Sequence, residues 1–150
     1  MCYTIRKSAL RDLGPALALD REVFGADAWT VMDYMGVFSD SGVRKFTAES
    51  ENEFAGFGAS EFDRETGAVC LLTLAVAPRY QRRGIGRGLL GAIESAFGNQ
   101  LVYLYVDIQN DTAIRLYKKA GYEQTGVIPG YYMNGHDALV FNKDLSQAEV

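Results

Sequence analysis

The segment from Leu71 to Tyr122 limits the possible folds of this 150-residue chain more than any other part of it. It begins with a nearly continuous apolar run that ends at Val76, which is typical of a strand near the centre of a sheet. Pro78 ends this run, and a cluster of arginines and glycines leads into residues 85–97, where apolar side chains recur every fourth position. A second apolar run follows. This order predicts a βαβ unit with parallel strands.

The loop rich in Arg and Gly before the predicted helix is suited to holding a phosphate group. N–H groups at a helix start have no partner within the helix, and arginines add attraction for anions. A P-loop is excluded, because Gly84 and Gly86 are not followed by Lys and Ser or Thr. A dinucleotide-binding pattern occurs at residues 86–91, but nine residues separate it from Val76, whereas its first glycine should follow the strand directly. The remaining pattern, Gln/Arg-x-x-Gly-x-Gly/Ala, is matched by residues 81–86.

Composition restricts the class of protein further. Hydrophobic residues make up 48% of the chain, enough for the core of one domain, which we expect to span residues 1–150. A net charge of −4 gives no overall attraction to nucleic acid or to an anionic membrane, and we expect neither as a partner. Two cysteines, Cys2 and Cys70, make neither a disulfide framework nor a zinc site, so we expect no metal. No apolar run reaches membrane-spanning length, which favours a cytoplasmic protein.

Hydrophobic periodicity and turn residues predict the other elements. Ser8 and Thr30 are expected to cap the first two helices, and Gly121 to end the fourth. Gly88 and Gly91 lie inside the third helix, where each costs about 1 kcal/mol relative to Ala, and close packing would explain them. The predicted strands and helices, in order, are 3–6, helix 11–24, helix 31–38, 43–49, 54–62, 68–76, helix 84–97, 101–106, helix 110–120, 123–128 and 138–145. This β-α-α-β-β-β-α-β-α-β-β order predicts a three-layer α/β fold with one mixed sheet of about seven strands.

This order and two motifs closely resemble the GNAT superfamily of acetyl-CoA-dependent N-acetyltransferases. One motif is the loop at residues 81–86. The other is residues 110–122, which are similar to the family pattern Asn-x-x-Ala-x-x-x-Tyr-x-x-x-Gly-Phe/Tyr. Residues 27–30, 130–132 and 135–138 are most similar to the branch that acetylates protein N-termini, which includes the ribosomal-protein alanine acetyltransferases.

The resemblance implies that acetyl-CoA is the co-substrate and is bound largely by main-chain groups. Leu74 and Val76 would hydrogen-bond the pantetheine arm, beside a bulge near Ala75 that separates the fourth strand from the fifth. The Val76 N–H would also polarise the thioester carbonyl. Asn110 would contact the pantetheine, and the Tyr117 hydroxyl would protonate the departing thiolate. The pyrophosphate would be held by N–H groups of Gln81, Arg82, Arg83, Gly84, Ile85, Gly86 and Arg87.

The group that deprotonates the amine stays open. Relatives often carry Glu or His where this chain has Tyr105, which is a poor base at neutral pH. Tyr105 could instead order a water molecule, as could Asp107, Glu61 or Glu22. An α-amino group is roughly a tenth unprotonated at pH 7 and a lysine far less, so a site without a strong base favours chain termini.

The same resemblance implies that Trp29, Tyr131 and Tyr132 line an acceptor groove; ordinary packing of these aromatic rings is the alternative. His136, the only histidine, is expected as a turn residue and not as a catalyst. We therefore expect an N-acetyltransferase, monomeric or homodimeric, that transfers acetyl directly to a protein or peptide N-terminus in a ternary complex. The alternatives are an acetyltransferase for small amines or polyamines, and an acyl-CoA-binding module without catalysis.

Overall fold

The computed structural model describes residues 2–147. Its elements follow the predicted order, and their bounds are β1 (Tyr3–Lys7), α1 (Leu13–Phe24), α2 (Val31–Ser39), β2 (Val43–Ser50), β3 (Glu53–Asp63), β4 (Ala68–Val76), α3 (Ile85–Phe97), β5 (Leu101–Asp107), α4 (Asp111–Lys119), β6 (Glu123–Ile128) and β7 (Ala138–Asp144). Short 3₁₀ turns join several of them. None of these helices is long and apolar enough to cross a membrane.

The seven strands form one mixed sheet in the order β1-β2-β3-β4-β5-β7-β6, which confirms the predicted fold class. Helices cover both faces of the sheet. Successive side chains of β3 point to opposite faces, so this strand contacts helices on both sides. The Phe57 ring stacks on Phe38 of α2, with 5.6 Å between ring centroids. On the other face, Gly56 lies against Leu89 of α3. These contacts give the three layers that the element order predicts.

β4 and β5 form the one parallel pair among the described strands, as the βαβ pattern predicts, and this pairing is short. Only Val69 and Cys70 of β4 are paired with β5, and the two strands separate beyond Cys70. A register shift between β3 and β4 leaves Leu72 as an extra residue on β4. The predicted position of the bulge, near Ala75, is therefore wrong, because Ala75 pairs in register with Phe57. A bulge bends the strand that carries it, so β4 turns away from β5 at this point.

The helix caps were predicted with mixed success. The Thr30 hydroxyl accepts the N–H of Asp33 at 3.1 Å, so the cap of α2 is confirmed. The Ser8 cap is wrong, because its hydroxyl is bonded to Thr47 at 2.7 Å. Asp12 instead accepts the N–H of Ala9 at 2.7 Å and is held by Arg6. An ion pair with β1 therefore decides how this helical segment begins.

Candidate active site

A cleft of about 1070 Å³ opens where β4 and β5 separate, at the ends of α3 and α4. Its two ends carry opposite charges. The basic end is lined by side chains of the loop before α3, of α3 and of α4: Arg82, Arg87, Arg115 and Lys119. The acidic end is lined by side chains of α1, of the loop after it and of the end of β5: Asp20, Asp27 and Asp107. A ligand with an anionic part and a cationic part would therefore find a complementary charge at each end.

The loop before α3 presents a row of free main-chain donors to the basic end. Among the described residues, no acceptor is found for the N–H groups of residues 82–87. The Gln81 N–H, also expected to hold pyrophosphate, donates instead to the Pro78 carbonyl at 3.3 Å. The backbone here is also unusual, since Arg82 has a φ of 65° and Gly84 a φ of 86°. A non-glycine residue with positive φ costs free energy and persists where the surroundings impose it. Consecutive N–H groups in such a turn, at a helix start, form a concave anion site.

Tyr3 of β1 holds this loop in place, a contact that no local pattern predicts. Its hydroxyl donates a hydrogen bond to the Gly84 carbonyl at 3.0 Å. Its ring lies so close to α3 that a Cβ on Gly88 would come within 2.8 Å of the hydroxyl oxygen. Close packing thus explains Gly88. It does not explain Gly91, whose Cβ would meet no atom within 4 Å.

The arginines of this loop divide into two groups. Arg79 pairs with Glu53 at 3.0 Å and Arg83 with Glu51 at 3.5 Å, and both guanidinium groups lie over the Tyr80 ring. Neither Arg79 nor Arg83 lines the cleft. Arg83, one of the residues expected to hold pyrophosphate, can therefore contribute only its main-chain N–H. The basic residues of α4 replace it, and their spacing of four along one helix is the signal that would have found them.

The main chain at the end of β4 faces the gap between the strands. The N–H of Ala77 donates to the carbonyl of Ala55 on β3 at 2.8 Å, so Ala77 and Ala55 are a hydrogen-bonded pair of the antiparallel ladder. In an antiparallel ladder such pairs alternate with pairs whose main-chain groups point away from each other. Val76 and Leu74 occupy the alternate positions, and their N–H and C=O groups therefore point away from β3, toward the cleft. The Val76 carbonyl there accepts a hydrogen bond from the side chain of Gln81 at 3.1 Å.

Tyr117 lines the cleft although only 5% of its surface is exposed. Gly121, with a φ of 96°, ends α4 as predicted, and the Tyr122 N–H donates to the Tyr117 carbonyl at 3.0 Å. No partner for the Tyr117 hydroxyl is found within residues 2–147. Burial, together with the nearby Tyr132, raises the pKa of Tyr117 above its ordinary value. Its hydroxyl thus stays protonated at neutral pH and is free to donate.

Asn110 also lines the cleft, and it caps α4 at the same time. Its side-chain oxygen accepts the Ala113 N–H at 3.2 Å, which leaves the amide NH₂ group for other partners. The structure therefore gives this residue a structural role that is compatible with contact to a ligand.

The acidic end lies between two loops that are far apart in sequence. Trp29 on the first loop and Tyr132 on the second line the cleft, whereas Tyr131 packs outside it against the ring of Tyr105. The loops are joined by a hydrogen bond from the Met133 N–H to Asp27 at 2.8 Å. This bond links residues 106 positions apart, so the groove exists only in the folded chain.

None of the four residues weighed as a base, or as a partner for a water molecule, is well suited to accept a proton. Glu22 is exposed outside the cleft, and Glu61 lines a separate pocket. Tyr105 lines the cleft, but burial raises its pKa, so it stays protonated. Asp107 accepts hydrogen bonds from Gln109, from Asn134 and from His136, whose Nδ1 lies 2.9 Å away. Burial opposes the effect of these donors, yet they lower the pKa of Asp107 and make it a weak base.

Sequence reasoning missed Asp20, which lies on α1 at the acidic end. Its side chain is buried, with 2% of the residue exposed, and it still lines the cleft. The carboxylate accepts the N–H of Trp29 at 2.6 Å, which fixes the loop that follows α1. Burial raises the pKa of Asp20, although this N–H and the Tyr34 hydroxyl oppose the shift. No motif marks this residue, since it stands at an ordinary polar position of a helix.

A family model for the acetyltransferase (GNAT) family matches residues 9–122. The chain belongs to this family. It is therefore an acyltransferase, as the sequence predicts, and the match spans α1 to the end of the turn after α4. Among relatives, an N-alpha-acetyltransferase of Sulfurisphaera tokodaii is 28% identical over 152 residues, 92% of this chain and 90% of that protein. A protein of Mycobacterium leprae is 42% identical over 73 residues, which are 48% of this chain and 20% of that longer protein.

Solved structures confirm the fold. The ribosomal-protein-S18-alanine N-acetyltransferase of Escherichia coli is similar with a TM-score of 0.85 and 25% identity, over 99% of this chain and 97% of that one. Arabidopsis thaliana Naa50, solved in complex with the bisubstrate analogue CoA-Ac-MVNAL, has a TM-score of 0.81 and 26% identity, over 96% of this chain and 99% of that one. The predicted similarity to enzymes that acetylate protein N-termini is confirmed by these proteins.

Proposed function

We propose that the protein transfers acetyl from acetyl-CoA to the N-terminal α-amino group of a protein or peptide. The observation that carries this proposal is the cleft itself, which joins a row of anion-binding N–H groups, a gap in the sheet and a buried tyrosine. A long thioester with a phosphorylated end fits that order of features. The relative from S. tokodaii, by its name, and the S18-alanine enzyme act on related acceptors, and Naa50 was solved with a linked CoA and peptide.

Acetyl-CoA fits the groups that the cleft offers. The N–H groups of residues 82–87 and the side chains of Arg82 and Arg87 would bind its phosphates. Leu74 and Val76 would pair with the amide groups of its pantetheine arm, because their main-chain groups face the gap that β5 leaves open. The phosphates of the ligand would thus lie against N–H groups and arginines, and its pantetheine amides would lie against the main chain of β4.

The chemistry then follows from two groups of this chain. The Val76 N–H donates to the thioester carbonyl oxygen, which gains negative charge during attack by the amine. Tyr117 protonates the departing thiolate, and its pKa, raised by burial, keeps the proton available at neutral pH. Both residues line the same cleft, so an amine bound there would attack the thioester directly, in a ternary complex.

The acceptor would enter at the acidic end. Trp29 and Tyr132 offer flat apolar surface to the first side chain of a peptide, and aspartates offer negative charge to its ammonium group. A terminal α-amino group has a lower pKa than a lysine, and it loses its proton with less help from the site.

Thiol release from acetyl-CoA tests the proposal. The panel holds peptides with free N-termini and varied first residues, N-blocked peptides whose only amine is a lysine, and simple polyamines. We expect turnover with free N-termini only. Turnover confined to polyamines would contradict the choice of acceptor, and tight CoA binding by calorimetry without any turnover would indicate a binding module.

A further inference from the structure

Asp20 is a deeply buried carboxylate for which residues 2–147 supply no counter-charge. Within residues 2–147 it forms no salt bridge with any Lys, Arg or His. Asp12 is buried to a similar degree, 3% exposed against 2% for Asp20. Asp12 is paired with Arg6 at 2.8 Å. A buried carboxylate normally has such a partner, since an unpaired charge is costly to remove from water.

The groups around Asp20 satisfy hydrogen bonds but do not balance its charge. Trp29 donates its N–H at 2.6 Å, and the Tyr34 hydroxyl of α2 faces the carboxylate. Asp33, also on α2, adds a further negative charge. Two strands pack against α1. Residues 71–76 of β4 carry no titratable side chain, and the acidic residues of β3, Glu53, Glu61 and Asp63, supply no positive charge. Asp20 nevertheless lines the cleft, and a cation bound at the acidic end would balance its charge.

We propose that Asp20 binds the ammonium group of the acceptor and takes its proton before acetyl transfer. This inference rests on the proposed function and names the base that the sequence leaves open. One N–H bond of the ammonium breaks, the proton passes to the Asp20 carboxylate, and the electron pair of that bond becomes the lone pair that attacks the carbonyl carbon. A second amine proton, lost after the attack, replaces the one that Tyr117 gives to the thiolate. Asp20 returns its proton to water once the product has left.

Burial prepares Asp20 for this task. It raises the pKa of the carboxyl group, which makes the carboxylate a better proton acceptor than an exposed aspartate. An acceptor ammonium also relieves the unpaired charge, so substrate binding and proton transfer both reduce the cost of keeping Asp20 buried. Asp107 and Tyr105, two other titratable groups that line the cleft, lack this combination, since Asp107 is held by three donors and Tyr105 stays protonated.

Asp20→Asn is a sharp test, because the amide has the same shape and its oxygen can still accept the Trp29 N–H. We expect kcat/KM for a peptide acceptor to fall about tenfold at pH 7, because only about a tenth of an α-amine lacks its extra proton there, while the KM for acetyl-CoA stays within about twofold. The lost activity should return as the pH rises above the pKa of the acceptor amine, because the amine then arrives without its proton. A purely structural residue would not shift the pH profile in this way.

Stability gives a second, independent readout. The folded-state pKa of Asp20 is raised, so the folded chain binds this proton more readily than the unfolded chain does. Its charge therefore destabilises the protein at pH values above the folded pKa, and that penalty is relieved as the pH falls through it. We expect Asp20→Asn to melt at the same or a higher temperature than the wild type at pH 7, with a difference that shrinks on acidification. The matched control, Asp12→Asn, loses the Arg6 pair and should melt lower with an unchanged pH–rate profile.

Two results would overturn the inference while the proposed function stands. One is an Asp20→Asn enzyme with wild-type kcat/KM and pH profile on the peptides that the wild type acetylates. The other is an inactive Asp20→Asn that melts well below the wild type at pH 7, since the carboxylate would then be structural. If the wild type acetylates no peptide N-terminus, the proposed function fails and this inference fails with it.

Discussion

At the basic end of the cleft, one short loop supplies a run of main-chain N–H groups over residues 82–87, whereas the acidic end is assembled from side chains of distant elements. Asp20 comes from α1, Trp29 from the loop after it, Asp107 from β5 and Tyr132 from the loop before β7. The first arrangement is local and the second is tertiary. Side-chain substitutions should therefore act on the two ends in different ways, with acetyl-CoA affinity sensitive at one end and acceptor use at the other.

Tyr117 lines the cleft, and loss of its hydroxyl should affect catalysis more than the binding of either substrate. We expect Tyr117→Phe to lower kcat by about 10²- to 10⁴-fold, because the proton for the thiolate is lost. The KM for acetyl-CoA should stay close to that of the wild type, measured by thiol release over a range of concentrations. The control is Tyr122→Phe, which removes a buried hydroxyl bonded to Glu94 at 2.9 Å and does not line the cleft. A similar loss of kcat in both variants would refute the role of Tyr117.

The loop at the basic end can be disturbed by a substitution on α3 that displaces the Tyr3 ring of β1. Gly88→Ala places a Cβ within 2.8 Å of the Tyr3 hydroxyl, so the ring must move and its hydrogen bond to Gly84 is lost. We expect a loss of about 1–3 kcal/mol in the free energy of unfolding, measured with urea, and a higher KM for acetyl-CoA. Gly91→Ala is the matched control on the same helix, where the Cβ meets no atom. It should stabilise the protein by about 0.5–1 kcal/mol, and equal effects at both positions would count against the packing argument.

The division of the arginines can be tested with a single pair of variants. Arg87→Ala should raise the KM for acetyl-CoA about three- to tenfold, because one charge–phosphate contact is lost at an exposed site. Salt screens such contacts, so the KM of this variant should also change less with ionic strength than that of the wild type. Arg83→Ala is the control, since its guanidinium is turned toward Glu51 and Tyr80. A larger effect from Arg83→Ala than from Arg87→Ala would show that the side chains have been assigned to the wrong faces.

The smallest effect is expected where the two loops of the acidic end meet. Asp27→Ala removes the bond to the Met133 N–H, which should loosen the groove and raise the KM for a peptide acceptor about two- to fivefold, the equivalent of about 0.5–1 kcal/mol. The KM for acetyl-CoA should not change. Asp137→Ala removes an equivalent bond to Gly130 in the same loop but outside the cleft, and serves as the control. Identical acceptor KM values in both variants would show that the bond between Asp27 and the Met133 N–H does not shape the acceptor groove.

Local patterns predicted most of the fold. The bounds of β4 agree with the prediction to the residue, and α2 differs by one, because a Pro and a Thr cap mark their ends. The loop at residues 81–86 was equally visible, since its chemistry depends on its own backbone. Where an element depends on a partner elsewhere, prediction failed: Ser8 looks like a cap, but the ion pair between Arg6 and Asp12 decides the start of that segment.

The same distinction applies to the site. Tyr117 and Asn110 were found because they lie on one helix with a recognisable spacing, whereas Tyr3 reaches Gly84 across 81 positions of sequence. Asp20 was missed because its importance comes from burial and from the lack of a cation nearby, and neither property is written into the residues around it. Sequence predicted the main-chain half of the cleft and much less of the half made by side chains.

The short pairing of β4 with β5 has a consequence for the dynamics of the whole molecule. The described residues form two hydrophobic cores, one around Phe57 and one around Phe141, and the sheet that joins them is continuous through only two residue pairs. Each core is thus suited to open as a separate cooperative unit. Acetyl-CoA bound along the gap would contact both cores and link them. At a ligand concentration of a hundred times Kd, binding stabilises the folded state by about 2.7 kcal/mol. In native-state hydrogen exchange, the ligand should therefore slow the amides of β5 and β7 together with those of β4, far beyond the residues that it contacts.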